Sequence, residues 1–252
     1  MKNQKGQVLL IAVMFLATVM TVVLSTSFKS TTDTQVTKLE EESQKALAAA
    51  ESAIEVALKE NSTTTIGSGS LDSITGFSGT ATIDTTTSTR FTTPLITKDG
   101  SHTFYLGNYD LATKVIGPST SQDIVICFES GTPNPALEVT LIKLNGVTKY
   151  AIDPSSRIAG ASATVPCAVD TVNYSHSATI PSSNIGIDGQ FLLVRVLYNS
   201  SKLLFSGSSN LPVQGRTVSS QATSSTSTGV SKKVVLFQSH PQIPGEFFTT
   251  TF

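Results

Sequence analysis

Hydrophobic and polar positions divide this chain into two unlike patterns. From Val8 to Leu24 every residue is apolar or small except Thr18 and Thr21, and no charged residue lies between Lys5 and Lys29. Ser25, Thr26 and Ser27 finish the run ahead of Phe28. About 20 such residues suffice for an α-helix to cross the ~30 Å hydrocarbon core of a bilayer. A lone span must be helical, because lipid satisfies no open backbone group. Core helices of soluble domains are rarely apolar on every side, so the pattern predicts a transmembrane helix over 7–28. A cleaved secretory signal is the rival, with Lys2 and Lys5 as its basic start and small residues around Leu24 to Ser27 for a leader peptidase. Against it, the apolar run exceeds the usual 7–15 residues. Lys2 and Lys5 before the span, with mixed charge after it, place the N-terminus in the cytoplasm and the C-terminal domain outside it.

The next stretch, 29–60, reads as the amphipathic continuation of the same helix. No Pro or Gly occurs between Gln7 and Asn61. Val36, Leu39, Leu47, Ala50, Ile54 and Leu58, with Ser43 filling the missing step, recur at helical spacing and mark one face. Lys29 with Asp33, Glu41 with Lys45 and Glu55 with Lys59 are spaced to pair four apart on the other. Ala46 to Ala50 has high helix propensity. A helix from Val8 to Lys59 would be about 78 Å long. The hydroxyl-rich segment Ser25 to Thr37 is its weak point, where bending or melting is expected first.

After Asn61 the periodicity changes to that of strands. Residues 61–79, with NSTTTIGSGS, read as a Gly/Ser/Thr linker. Residues 80–252 read as a β-rich domain, giving an α+β fold: a long N-terminal helix followed by a mainly antiparallel β domain. Thr80 to Thr93 predicts one or two strands. Lys98-Asp99-Gly100 predicts a turn into His102 to Leu106, and Asp123 to Glu129 a short buried strand. Asn145-Gly146, between LEVTLIKL and VTKYAI, predicts a two-residue hairpin turn with both positions at positive φ. Asp153 to Asn184 is loop-like. Gln190 to Tyr198 and Lys202 to Phe205 predict a second hairpin, and Val213 to Thr223 with Lys232 to Ser239 close the sheet.

Composition narrows the function classes. The formal net charge is −1 and only 14% of residues are charged, with no Lys/Arg cluster, so no nucleic-acid partner is indicated. Abundant Ser and Thr suit a secreted or surface β protein. No CxxC, HExxH, phosphate loop, dinucleotide fingerprint or nucleophile elbow is present. No catalytic residue, cofactor, metal site or small-molecule substrate is therefore expected. His102, His176 and His240 stand in separate segments. Asp99, Asp153 and Asp188 precede turn residues, where a carboxylate caps backbone groups more often than it holds calcium. Asn61, Asn173 and Asn199 match the glycosylation pattern, which carries little weight here. Cys127 and Cys167 are the only cysteines. They are a possible disulfide in an oxidising compartment, or Cys127 is a buried thiol.

The N-terminal quarter resembles type IV pilins and the pseudopilins of type II secretion, most closely minor pilins. The resemblance rests on Lys5-Gly6, the apolar block Val8 to Leu24, and Ala46-Leu47-Ala48-Ala49-Ala50-Glu51-Ser52-Ala53-Ile54. It implies a short basic leader, 1–6, cut by a prepilin peptidase between Gly6 and Gln7, with methylation of the new amine. Most of the family carries a glutamate at the fifth mature position, where this chain has Ile11. Its absence favours a minor, tip-like subunit. The implied partners are other pilin or pseudopilin subunits, the membrane and prepilin peptidase. The implied role is priming, capping or surface contact of a filament. The alternatives are an N-terminally anchored adhesion module that does not polymerise and, more remotely, an anchored hydrolase.

Overall fold

The computed structural model describes residues 4–225 and 229–244, with 4–8 described by backbone alone. It opens with one helix, α1, Gln4–Glu60, 57 residues without interruption. The expected weak segment neither melts nor breaks. Thr26, Thr31, Thr32, Thr34 and Thr37 turn their hydroxyls back onto carbonyls three or four residues earlier, at 2.8–3.2 Å. A hydroxyl satisfied in this way does not compete for the helix's own N–H groups.

Twelve strands follow: β1 Thr64–Ile66, β2 Phe77–Asp84, β3 Arg90–Thr92, β4 Ser101–Tyr105, β5 Ile124–Phe128, β6 Ala136–Lys143, β7 Gly146–Ile152, β8 His176–Ile180, β9 Gly189–Leu197, β10 Leu203–Ser206, β11 Gly215–Ser224 and β12 Ser231–Ser239. A single-turn helix, α2, Ser182–Ile185, precedes β9. The strands form three four-stranded sheets, ordered β1-β2-β11-β12, β3-β10-β5-β8 and β4-β9-β6-β7. The pairs β1–β2, β3–β10, β10–β5, β5–β8, β4–β9, β9–β6 and β6–β7 are antiparallel. The α+β layout therefore holds at the level of one long helix and antiparallel sheets.

The chain divides into two compact units, Met1–Ile83 with Val218–Leu236, and Asp84–Thr217 with Phe237–Phe252. The division differs from a simple stalk, linker and β domain. The segment 61–79, read as a flexible linker, carries β1, a 3-10 turn at Gly69–Leu71 and the start of β2. Its apolar residues explain this. Ile66 and Leu71 are buried against the helix, which a solvated linker would not permit.

In the second unit, two sheets face each other across an apolar core. Ile124, Ile126 and Phe128 of β5 and Leu203 and Phe205 of β10 meet Leu137, Val139 and Leu141 of β6 and Leu192, Val194 and Val196 of β9. The period-two spacing of each set is what lets one face of each sheet be apolar. Phe104 and Phe205 stack across this core with ring centroids 4.2 Å apart. β4, an edge strand, is closed by side chains instead of a neighbouring strand. Gln214 exchanges both amide hydrogen bonds with the backbone of Tyr105, at 2.8 and 2.9 Å. Gln242 does the same at Thr103, at 2.8 and 3.4 Å.

Two hairpin expectations need correction. β6 and β7 do form a hairpin, but Lys143 pairs with Gly146 and the turn residues are Leu144 and Asn145. Neither Asn145 nor Gly146 takes a positive φ. The β6–β9 register shifts between Ile142 and Lys143, so tertiary pairing outweighs the local turn preference. β9 and β10 are not a hairpin, because they lie in different sheets. Both strands aim apolar residues at one core, and they do so from opposite sides. The connection turns at Tyr198, φ 68°, and Ser201 bridges to Ile96.

Candidate functional site

The candidate site is the surface of α1, which has two regions. Leu9 to Leu24 is uncovered on every side. Leu9 is 69% exposed, Phe15 70% and Val19, the least exposed large residue of the run, 46%. This is one helix long and apolar enough to cross a membrane. Its two hydroxyls are satisfied inside the helix, Thr18 on the carbonyl of Phe15 and Thr21 on that of Thr18, each at 2.8 Å. They therefore add little cost to placing the segment in hydrocarbon.

The other region runs from Ala46 to Ala57. Ala46, Ala49, Ala50, Ala53, Ile54 and Ala57 are buried. From Ala49 onward they pack with Ile66, Leu71, Ala81, Val218 and Ala222. Thr64 donates its hydroxyl to the Ala53 carbonyl at 3.2 Å. The expected face, Val36-Leu39-Leu47-Ala50-Ile54-Leu58, is thus rotated. Ala50 and Ile54 are buried and Leu58 packs half-buried against the same cluster, whereas Val36, Leu39 and Leu47 stay exposed. Alanine has no side chain beyond Cβ, so an alanine stripe lets strands approach the helix closely, and Leu39 and Leu47 are left outside. The Ala spacing of three and four carried this signal in the sequence, where it served only as helix propensity. Of the three ion pairs expected, Glu41–Lys45 forms, at 2.6 Å between exposed side chains.

Lys5, Gly6 and Gln7 lie inside the first turns of α1. Their side chains, and the whole of Met1 to Asn3, including Lys2 of the expected leader, fall outside the described residues. Ile11, at the position where the resembled family carries glutamate, is 66% exposed.

Cys127 on β5 and Cys167 in the long loop before β8 are bonded as a disulfide. Both are buried, with Tyr174 and Leu204, on the face of the β5–β10 sheet turned away from the main core. The bridge fastens the loop over that face. Asp153, buried after β7, fixes the start of the same loop. It accepts from the backbone N–H of Ser155, Arg157 and Ile158, and pairs with the Arg157 guanidinium at 2.7 Å. Arg157 in turn lies over the Tyr198 ring, 3.9 Å from its centroid.

The remaining chemistry-bearing residues are dispersed. Among the described residues no group of three or more His, Cys, Asp or Glu is placed to hold a metal ion. His102 stacks on Phe91 at 5.8 Å, and burial lowers its pKa to about 4. His240 packs against Tyr105 and Tyr109, and burial lowers its pKa as well. Asp99 faces Arg195 at 3.6 Å and Asp188 faces Lys143 at 3.9 Å. These carboxylates meet cations one at a time. Comparison with protein-family models, curated proteins and solved structures returned no match to this chain.

Proposed function

We propose that the chain is a membrane-anchored minor pilin or pseudopilin, a structural subunit of a type IV pilus-like or secretion filament. One observation carries this reading. α1 is a single rod whose first half is apolar and uncovered and whose second half is fixed to a sheet by alanines. Such a rod is stable in lipid as a lone subunit. It would be equally stable in a bundle of like rods, held by close helix packing and, outside the membrane, by hydrophobic burial. A prepilin peptidase removes the leader between Gly6 and Gln7 in this reading, and the N-terminus faces the cytoplasm. The β units then lie outside, where a disulfide is at home. Ile11 offers no carboxylate to a neighbour's terminal amine, which suits a subunit that primes or caps the filament.

Mass spectrometry of the mature N-terminus in membranes from cells containing the peptidase tests the proposal. A chain beginning at methylated Gln7 is expected, and Gly6→Leu should retain the leader. Intact Met1 in the wild type would overturn the pilin reading and leave a permanently anchored surface-binding module.

A further inference from the structure

The link from β2 to β3, the segment Leu211 to Gly215, and Phe237 of β12 enclose a cavity of about 110 Å³. All of these residues belong to the second compact unit. The apolar lining is Phe91, Leu211, Pro212, Val213 and Phe237. Phe91 is anchored from behind by Phe104 and Phe205 of the core, and its ring centroid lies 6.0 Å from that of Phe237. Gly215 leaves room for the second ring, since a Cβ there would come within 2.8 Å of Phe237 Cζ. The polar wall is stapled in place: the Leu211 N–H donates to the Ser88 carbonyl at 2.8 Å, and the Asn210 amide to the Thr87 hydroxyl at 3.0 Å.

Two charged residues line the cavity, and only one is available. The Asp84 carboxylate is occupied by the backbone N–H and hydroxyl of Thr86. Arg90 is exposed, and its guanidinium makes no hydrogen bond or ion pair among the described residues. The Asn173 side chain and the N–H groups of Asn173 and Val172 hold the Asp170 carboxyl below its usual range and the Arg90 charge adds to this, so Asp170 is within electrostatic reach of the guanidinium without forming an ion pair with it. A guanidinium whose N–H groups have no hydrogen-bonded partner, beside an aromatic-lined hollow, matches a planar anion carrying an apolar group, because the guanidinium fork meets a carboxylate through two parallel bonds. At about 110 Å³ this hollow is smaller than the engineered dry cavity of about 150 Å³ that holds benzene, so it takes part of a single ring or a branched aliphatic group and nothing larger.

We propose that this cavity binds a small organic acid, its ring or branched chain laid against the Phe91–Phe237 pair and its carboxylate on Arg90. A free aromatic acid and the C-terminal residue of a peptide share this chemistry.

Titration calorimetry on the full chain in lipid nanodiscs tests it, with phenylacetate and the tripeptide Gly-Gly-Phe as probes and their amides as controls. Saturable one-to-one binding of at least one acid is expected, with at least tenfold weaker binding of its amide. The tighter of the two acids then identifies the source. Arg90→Gln and Phe237→Ala should each weaken binding at least tenfold while leaving the thermal midpoint of Arg90→Gln unchanged. No saturable binding of either acid, or equal binding of acid and amide, would overturn the site. The acid-against-amide comparison uses the wild type, so it stands whatever the variants do.

Discussion

Asp153 and His102 are buried, and each links stability to pH in its own range. The Arg157 guanidinium, helped by the backbone N–H groups of Ser155 and Arg157, holds the Asp153 carboxyl at about 2. A carboxyl depressed in the folded state contributes its stability above its ordinary pKa and loses it as pH falls toward the folded value. Here that means a loss of about 2 kcal/mol, spread between pH ~4 and ~2. His102 acts earlier. Its folded pKa of about 4 lies below its ordinary 6.5, so the unfolded chain takes up the proton first. Stability then falls as pH drops from about 6.5 to about 4, by up to about 3 kcal/mol. Urea melts at pH 7, 5 and 3 separate the two. His102→Leu should flatten the loss between pH 7 and 5. Asp153→Asn should be destabilised by about 3 kcal/mol at pH 7, because it leaves Arg157 without its counter-charge, and should lose less on further acidification to pH 3.

Residue size is decisive elsewhere. Ala53 is fully buried between α1 and its sheet, so Ala53→Leu overpacks the contact and should cost about 1–3 kcal/mol in denaturant melts. At Gly79 on β2 a Cβ would lie 1.8 Å from the Gln221 carbonyl oxygen. No side chain fits there without parting β2 from β11.

At the scale of elements, legibility in the sequence followed the range of the forces involved. α1 was readable along its length because hydropathy and helix propensity are local properties of the residues. Which way it turns was not readable. A sheet assembled from β1, β2, β11 and β12 chose the alanine stripe, and those strands come from opposite ends of the β-rich sequence, Thr64–Ile66 and Ser231–Ser239 at the extremes. β4, β5, β6, β7, β9, β10, β11 and β12 were visible as strand-like runs, and β2 with β3 as the one or two strands of Thr80 to Thr93. Apart from the β6–β7 pair, their partners were not, as β9 and β10 show: neighbours in sequence that lie in different sheets. The loop from Asp153 to His176 is held by Asp153 at one end and by the Cys127–Cys167 bridge near the other. Replacing both cysteines by alanine removes a constraint across 40 residues of sequence separation. It should lower stability by about 4 kcal/mol in the chain-entropy account, measured as a shift in denaturant midpoint under non-reducing conditions.

At the scale of the whole molecule, an uncovered apolar rod and a β-rich remainder have opposite solvent demands. Each fully buried Leu, Ile, Val or Phe of the rod is worth about 1.5–3 kcal/mol relative to water. A dozen large apolar residues from Leu9 to Leu24 are exposed, so the proposed membrane anchor rests on this segment. Deleting residues 1–28 should move the protein from the membrane fraction to the soluble fraction on cell fractionation. Retention in the membrane fraction would mean that a second surface binds lipid or a membrane partner.

The sequence alone determined the rod: its apolar run, its continuation without Gly or Pro, and the change to strand periodicity after Asn61. Those features depend on neighbours a few residues apart, and the chemistry of each residue specifies them. Only the tertiary structure decided that the alanines, not Leu39 and Leu47, dock on the sheet, that 61–79 folds as part of the first unit, and that Arg90, Leu211 and Phe237 enclose one cavity. Each of these depends on strands meeting across large stretches of sequence, where the alternatives are equally apolar and shape complementarity selects among them.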